Sequence, residues 1–239
     1  MNRVFAIVFG GAMTVVSAAT ALAADDLASQ AKQVIAQHPE WAKWLSDPEL
    51  QKEALGGEQL PNSPWRVHDI RRPQPPVVDT GTASCSGPVP SDADVLFDGH
   101  GLGKWTGKHF SEWTDHGATF QSGGRIYNFL QSKEAFGDAQ VHIEWMTPQQ
   151  PHPPLDPQHH GNSGVFLMGL YEVQIVDSYK NETYPDGAAG AIYGTAPPLA
   201  SPARPPGVWN CYDILFRAPR FAGDKLTSPG WVTVIFNGV

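Results

Sequence analysis

The chain has 239 residues, 16 Lys and Arg against 24 Asp and Glu for a net charge of -8, and 24 Gly, 22 Pro and two Cys. The length suits one sizeable domain with appendages, and an acidic balance without a Lys/Arg cluster excludes nucleic acid as an expected partner. No apolar run reaches the roughly 18 residues that span a bilayer, and aperiodic Gly and Pro favour short strands over a helical bundle.

Residues 1–23 read as a secretory signal peptide. Arg3 supplies the positive end, Val4 to Val16 the apolar stretch and Ala21-Leu22-Ala23 an A-x-A cleavage site. The mature protein is expected to start near Ala24 and to be periplasmic or secreted. No Cys follows the cleavage site, so no lipoprotein anchor is indicated. Residues 24–56 read as a helical segment, with Leu27, Ala31, Val34, Ile35, Trp41, Trp44 and Leu45 at helical spacing and Pro39 and Pro48 breaking the run. These tryptophans suit a packing face better than a sugar platform. Residues 57–93, rich in Pro, Gly and Ser, read as an extended linker wrapping the domain.

From 94 to 239 short alternating runs separated by turn signals predict an all-β sandwich. Strands are expected at 95–98, 118–120, 126–130, 139–146, 165–168, 171–176, 209–216 and 231–236. Asn237-Gly238 predicts a two-residue hairpin turn whose return strand is absent, so C-terminal truncation and an aggregation-prone edge are expected. Cys85 and Cys211 either pair, as an exported protein allows, or remain a linker thiol and a buried strand cysteine.

Two strands carry candidate chemistry. In Tyr171 to Val176, the residues Tyr171, Val173 and Ile175 share one face, and Glu172, Gln174 and Val176 the other. A carboxylate and a carboxamide roughly 7 Å apart suit a polyhydroxylated ligand, because one accepts hydrogen bonds and the other also donates. The same pair would equally suit a solvated sheet face. In Val141 to Trp145, His142 and Glu144 oppose three apolar residues. If the two strands are neighbours, Glu144 and Glu172 line one concave wall, where a carboxylate pair can divide into acid and base.

The loop His159-His160-Gly161-Asn162-Ser163-Gly164 offers His160 and Asn162, the latter either a turn residue or a ligand contact. Asp177 ends its strand as a turn cap or, if a bulge redirects it, as a site carboxylate. Tyr193 stacks on a sugar, transfers a proton or packs in the core. Arg204 lies in a Pro-rich loop. His152, His159 and His160 do not match a zinc spacing, and no metal site is assigned. A divalent cation held through oxygen by Glu172, Asp177 or Glu144 is the candidate cofactor. The sequon Asn181-Glu182-Thr183 carries little weight.

The blocks LFDGHGLGKW, GNSGVFLMGLYEVQIVDS, TYPDGAAGAIYG and GVWNCYDILF, in that order from about Asp94 to the end, resemble the bacterial 3-keto-disaccharide hydrolase family. The resemblance implies a concanavalin-like jelly-roll β-sandwich with 3-keto-glucoside 1,2-lyase and 3-keto-2-hydroxy-glucal hydratase activity on a small carbohydrate. For that chemistry the candidate catalytic residues are Glu172, Glu144 and Asp177, and the candidate substrate-binding ones are Asn162, Gln174, Tyr193, His160 and Arg204. Many members carry an Arg shortly after the position of Glu144, where this chain has Trp145-Met146. The alternatives are a non-catalytic lectin-like carbohydrate-binding module and an interaction domain docking through its N-terminal segment.

Overall fold

The computed structural model describes residues 2–6, 24–81, 85, 87–122, 128–150 and 156–239. Of the expected strand at 126–130, residues 126 and 127 lie outside these residues and 128–130 are not in a strand; His152 and the expected cleavage site also lie outside. The N-terminal segment forms α1 (Ala24–Gln37), a 3-10 turn at Pro39–Trp41, α2 (Ala42–Leu45) and α3 (Pro48–Leu55). Proline decides these breaks, since it lacks an N–H and clashes with the preceding turn. At α3 the carboxylate of Asp47 caps the N–H groups of Glu49 and Leu50, and Pro48 takes the first helical position.

The remaining elements are β1 (Asn2–Ala6), β2 (Ala93–Val95), β3 (Trp105–Thr106), β4 (Thr114–Asp115), β5 (Phe120–Gln121), β6 (Gln131–Ser132) and β7 (Ala139–Trp145). They continue with β8 (Ser163–Leu167), β9 (Tyr171–Ile175), β10 (Asn210–Arg217), β11 (Arg220–Ala222), β12 (Lys225–Ser228) and β13 (Trp231–Phe236). One layer is a five-stranded sheet in the order β13-β10-β7-β1-β2, and β8 pairs with β9 in another. β10 runs antiparallel to β7 and β13, whereas β1 is parallel to both β7 and β2. Residues read as a signal peptide thus stand between two strands of the sheet.

The layers meet across one apolar core. Ile143 and Trp145 of β7, Tyr212 and Ile214 of β10, and Phe236 of β13 face Val165, Val173 and Ile175 of β8 and β9. Each such side chain removed from water contributes about 1.5–3 kcal/mol. The hydroxyl of Tyr212 crosses the core and donates to the Gln174 carbonyl at 2.6 Å. This is an all-β sandwich with short N-terminal helices. Trp41 and Trp44 pack with Leu27, Val34, Leu55, Ile70 and Tyr184 in a second core that joins the helices to the linker.

Cys85 and Cys211 form a disulfide with Cα atoms 5.6 Å apart, tying the linker to β10. Asn237 and Gly238 take left-handed φ angles of 50° and 84°, and Phe236 and Val239 exchange both backbone hydrogen bonds across them. Those angles belong to a two-residue hairpin turn.

Candidate active site

Core packing of Val173 and Ile175 turns Glu172 and Gln174 toward the outer side of the β8–β9 layer, where they are covered. Glu172 is only 6 % exposed and Gln174 fully buried. The cover begins with the 3-10 turn Pro157–His159, capped by Asp156, whose carboxylate accepts from the Gln158 N–H at 2.8 Å. Gln158 Oε1 accepts from Gln174 Nε2 at 3.1 Å and from Asn162 Nδ2 at 3.3 Å. Its Nε2 donates to Thr183 Oγ1 at 2.6 Å and to the Gly187 carbonyl at 3.0 Å. Among the described residues two acceptors here stay unpartnered, Glu172 Oε1 and Asn162 Oδ1.

A buried carboxylate without a donor is costly, so the neutral acid is favoured. Burial raises Glu172 from 4.5 to about 8. At neutral pH it is therefore a protonated carboxylic acid able to give up its hydrogen.

Glycines permit this close packing. A Cβ at Gly164 would lie 2.1 Å from Glu172 Oε1, and one at Gly187 would lie 2.1 Å from Tyr184 Cε2. We expect Gly164→Ala to displace the Glu172 carboxyl and to lower turnover at least roughly tenfold, with a modest fall in melting temperature. Unchanged turnover in steady-state assays would show that the carboxyl position does not matter.

The segment 183–196 closes the other side. The Tyr193 N–H donates to the Glu172 carbonyl at 3.0 Å. Its phenol hydrogen-bonds the Tyr184 hydroxyl at 2.8 Å, which donates to Glu53 Oε1 of α3 at 2.8 Å. Burial raises both phenols, so they remain protonated. Behind them Asp186, fully buried, accepts from the His68 N–H at 3.0 Å and from Arg72 at 3.2 Å. A cavity of about 660 Å³ opens along β8, lined in part by Trp105, Asn128, Phe129, Gly164 and Phe166.

The structure brings Glu172, Gln174, Asn162 and Tyr193 together. Gln174 has its amide engaged with Gln158 and the Ile175 N–H, so it holds the cluster in place. Ile175 and Val176 both enter the core, which ends the alternation and brings Asp177 out beside His160. The Asp177 N–H donates to the His160 carbonyl at 2.8 Å, and its carboxylate caps the Tyr179 N–H at 3.0 Å. Burial raises the Asp177 carboxyl, opposed by the Tyr179 bond and the nearby His160.

Glu144 is not part of this cluster. β7 and β9 belong to different layers, and both turn their apolar residues to the shared core. Glu144 and Glu172 therefore lie on opposite outer faces, and the expected concave wall carrying both does not form. Glu144 sits with His142, 3.5 Å away, which also contacts Asp213 at 2.7 Å. Arg204 is likewise on that side, its guanidinium 3.5 Å from the Cys85 sulfur and 2.9 Å from the Trp209 carbonyl. Among the described residues no group of three or more His, Cys, Asp or Glu is arranged to hold a metal ion. Glu172, Asp177 and Glu144 do not supply a common cation site.

Sequence reasoning missed Gln158, Tyr184, Asp186, His68 and Glu53. Tyr184 and Asp186 stand within TYPDGAAG, so that block held a usable signal. Nothing local marks His68 or Glu53, which reach the site only through tertiary packing.

The fold and cluster define a β-sandwich protein with a buried, protonated carboxyl beneath a polar cover, a suitable arrangement for carbohydrate chemistry. Residues 92–239 match the 3-keto-alpha-glucoside-1,2-lyase-like domain, and the chain belongs to that family. A crystal structure from Parabacteroides distasonis ATCC 8503, of a protein whose name proposes a glycosyl hydrolase, is 42 % identical with a TM-score of 0.59. The likeness covers 72 % of this chain and 73 % of that one. No curated protein matches. Carbohydrate-active function of the hydrolase type and a small carbohydrate substrate follow from these similarities. No helix among the described residues is long and apolar enough to cross a membrane.

Proposed function

We propose that this protein cleaves 3-keto-glycosides by elimination across C1 and C2 and then hydrates the product, a net hydrolysis. A ketone at C3 acidifies the hydrogen on C2. Its removal gives an enolate that expels the glycosidic oxygen from C1 once that oxygen receives a proton. The observation carrying this reading is Glu172, a buried acid with an unpartnered oxygen in a member of this lyase-like family. Glu172 protonates the leaving oxygen and, once ionised, takes a proton from the water that adds back to C1. Asn162 Oδ1, the other unpartnered acceptor, binds a sugar hydroxyl, and the Tyr193 ring packs against the sugar face.

Incubating the protein with a 3-keto-disaccharide, with the unoxidised disaccharide as control, tests this. Sugar release from the keto compound alone is expected. No release, with sugar binding retained, would make the protein a carbohydrate-binding module instead. Because the acid form of Glu172 is required and its pKa is about 8, turnover should fall as pH rises through that value. A rate profile still rising at higher pH would remove Glu172 from the acid role.

We further propose that the protein is exported and cleaved after Ala23, as its N-terminal pattern supports. Cleavage there would remove β1 and leave β7 and β2 without their shared neighbour. N-terminal sequencing of protein recovered outside the cytoplasm should begin near Ala24, and an intact Met1 would refute export by this route.

A further inference from the structure

An elimination needs a base as well as an acid, and Glu144 lies on the wrong face to be that base. We propose that His68, held by Asp186, is the general base that takes the C2 proton, so that the linker supplies half of the proton-transfer pair. The assignment rests on the elimination reading above. His68 precedes the residues that match the family, 92–239. The likeness to the solved structure nevertheless covers a larger share of the chain than that range does.

Three observations converge on this side chain. His68 adopts a left-handed φ of 61°, a region His enters more readily than most non-glycine residues but one that still needs surrounding structure to enforce it. The enforcement comes from Asp186, which receives the His68 N–H at 3.0 Å and faces ring Nδ1 at 3.4 Å. The second distance is at the long end for a hydrogen bond, as is common in catalytic pairs before substrate binds. Third, the ring lies against both phenols of the site, with centroids 4.2 Å from Tyr184 and 4.8 Å from Tyr193. The Tyr193 N–H is bonded to the Glu172 backbone carbonyl at 3.0 Å, so the ring that His68 touches is anchored on the residue that carries the acid. With Nδ1 turned to Asp186, the proton on that nitrogen leaves Nε2 as the basic lone pair.

The cycle closes without a further reactant. Nε2 takes the C2 proton, and the electrons of that bond form the C1–C2 double bond as the C1–O bond breaks. The leaving oxygen takes the Glu172 proton. Water then adds in reverse: its hydroxide joins C1, its proton returns to Glu172, and His68 returns a proton to C2. Asp186 touches no reacting atom and is a positioning residue, favouring the Nδ1–H tautomer and the imidazolium that forms.

Two readouts separate base from acid. With methyl 3-keto-α-glucoside in heavy water, deuterium uptake at C2 reports the base, and methanol release reports the whole reaction. The parent should show both. Glu172→Gln should keep C2 uptake and lose release, whereas His68→Ala should lose both by about 10²-fold or more. Added imidazole should restore at least roughly tenfold of the His68→Ala loss, which repair of a purely structural role would not do. Asp186→Asn should lower kcat with KM little changed. C2 uptake without release in the parent would overturn the glycosidase reading and leave His68 in place. No C2 uptake by the parent, or parental uptake in folded His68→Ala, would overturn the assignment of His68. If His68→Ala fails to melt cooperatively, His68→Gln decides: folded and still exchanging, it overturns the base role.

Discussion

Replacing Glu172 by Gln is expected to abolish turnover while making the protein more stable at pH 8. Gln matches the shape of the neutral acid but has no proton to give, so a loss of roughly 10²–10⁴-fold in kcat is expected. The stability gain follows from linkage. In the unfolded chain the carboxyl titrates near 4.5, whereas in the folded site it titrates at about 8. The folded state therefore binds the extra proton between these values. Stability is fully present below the unfolded pKa and falls as pH rises through the folded one. The penalty at its upper limit is on the order of 4 kcal/mol, and Gln escapes it. Denaturant unfolding of both proteins at pH 5 and pH 8 checks this. The variant should gain at pH 8 and be near parity at pH 5. Equal pH dependence in both proteins would mean that Glu172 is not a buried acid.

Removing the disulfide should produce the largest loss of stability among the substitutions considered. Cys85 and Cys211 are separated by 126 residues, so the bond closes a long loop of the unfolded chain. A loop of this size is worth about 3–5 kcal/mol in the chain-entropy account. For a protein of this length that corresponds to a fall in Tm of roughly 6–20 °C. The Cys85→Ser/Cys211→Ser protein, and the parent under reductant, should both show it by calorimetry. Because Cys211 shares the Glu144 face of its sheet, on the far side of the core from Glu172, kcat at 25 °C should stay within about threefold. An unchanged Tm would show that the linker is held by its other contacts. These include the Val77–Ser201 bridge and the bond from Gln74 to the Thr183 carbonyl.

Much of the fold was legible in the chain because local chemistry sets it. Pro39 and Pro48 divide the helical run wherever it packs, and Asn237-Gly238 turns because few other pairs tolerate two left-handed angles. Strand alternation correctly separated Glu172 and Gln174 from Val173 and Ile175, and Glu144 from Ile143 and Trp145. Alternation tells which residues share a face within a strand but not which strand lies alongside. That relation depends on hydrogen-bonding partners distant in sequence. β7 joined β10, β9 joined β8, and their apolar faces met, sending the two glutamates to opposite surfaces. The protonation state of Glu172 was equally invisible, because it depends on the cover formed by 156–162 and 183–196. His68 reached Asp186 across 118 residues only because the linker packs on Tyr184, a contact with no local signature. The sequence by itself determined the strands and the chemistry each face displays. The tertiary structure decided which faces were buried together, because burial and long-range pairing turn an exposed carboxylate into an acid and a linker histidine into its partner.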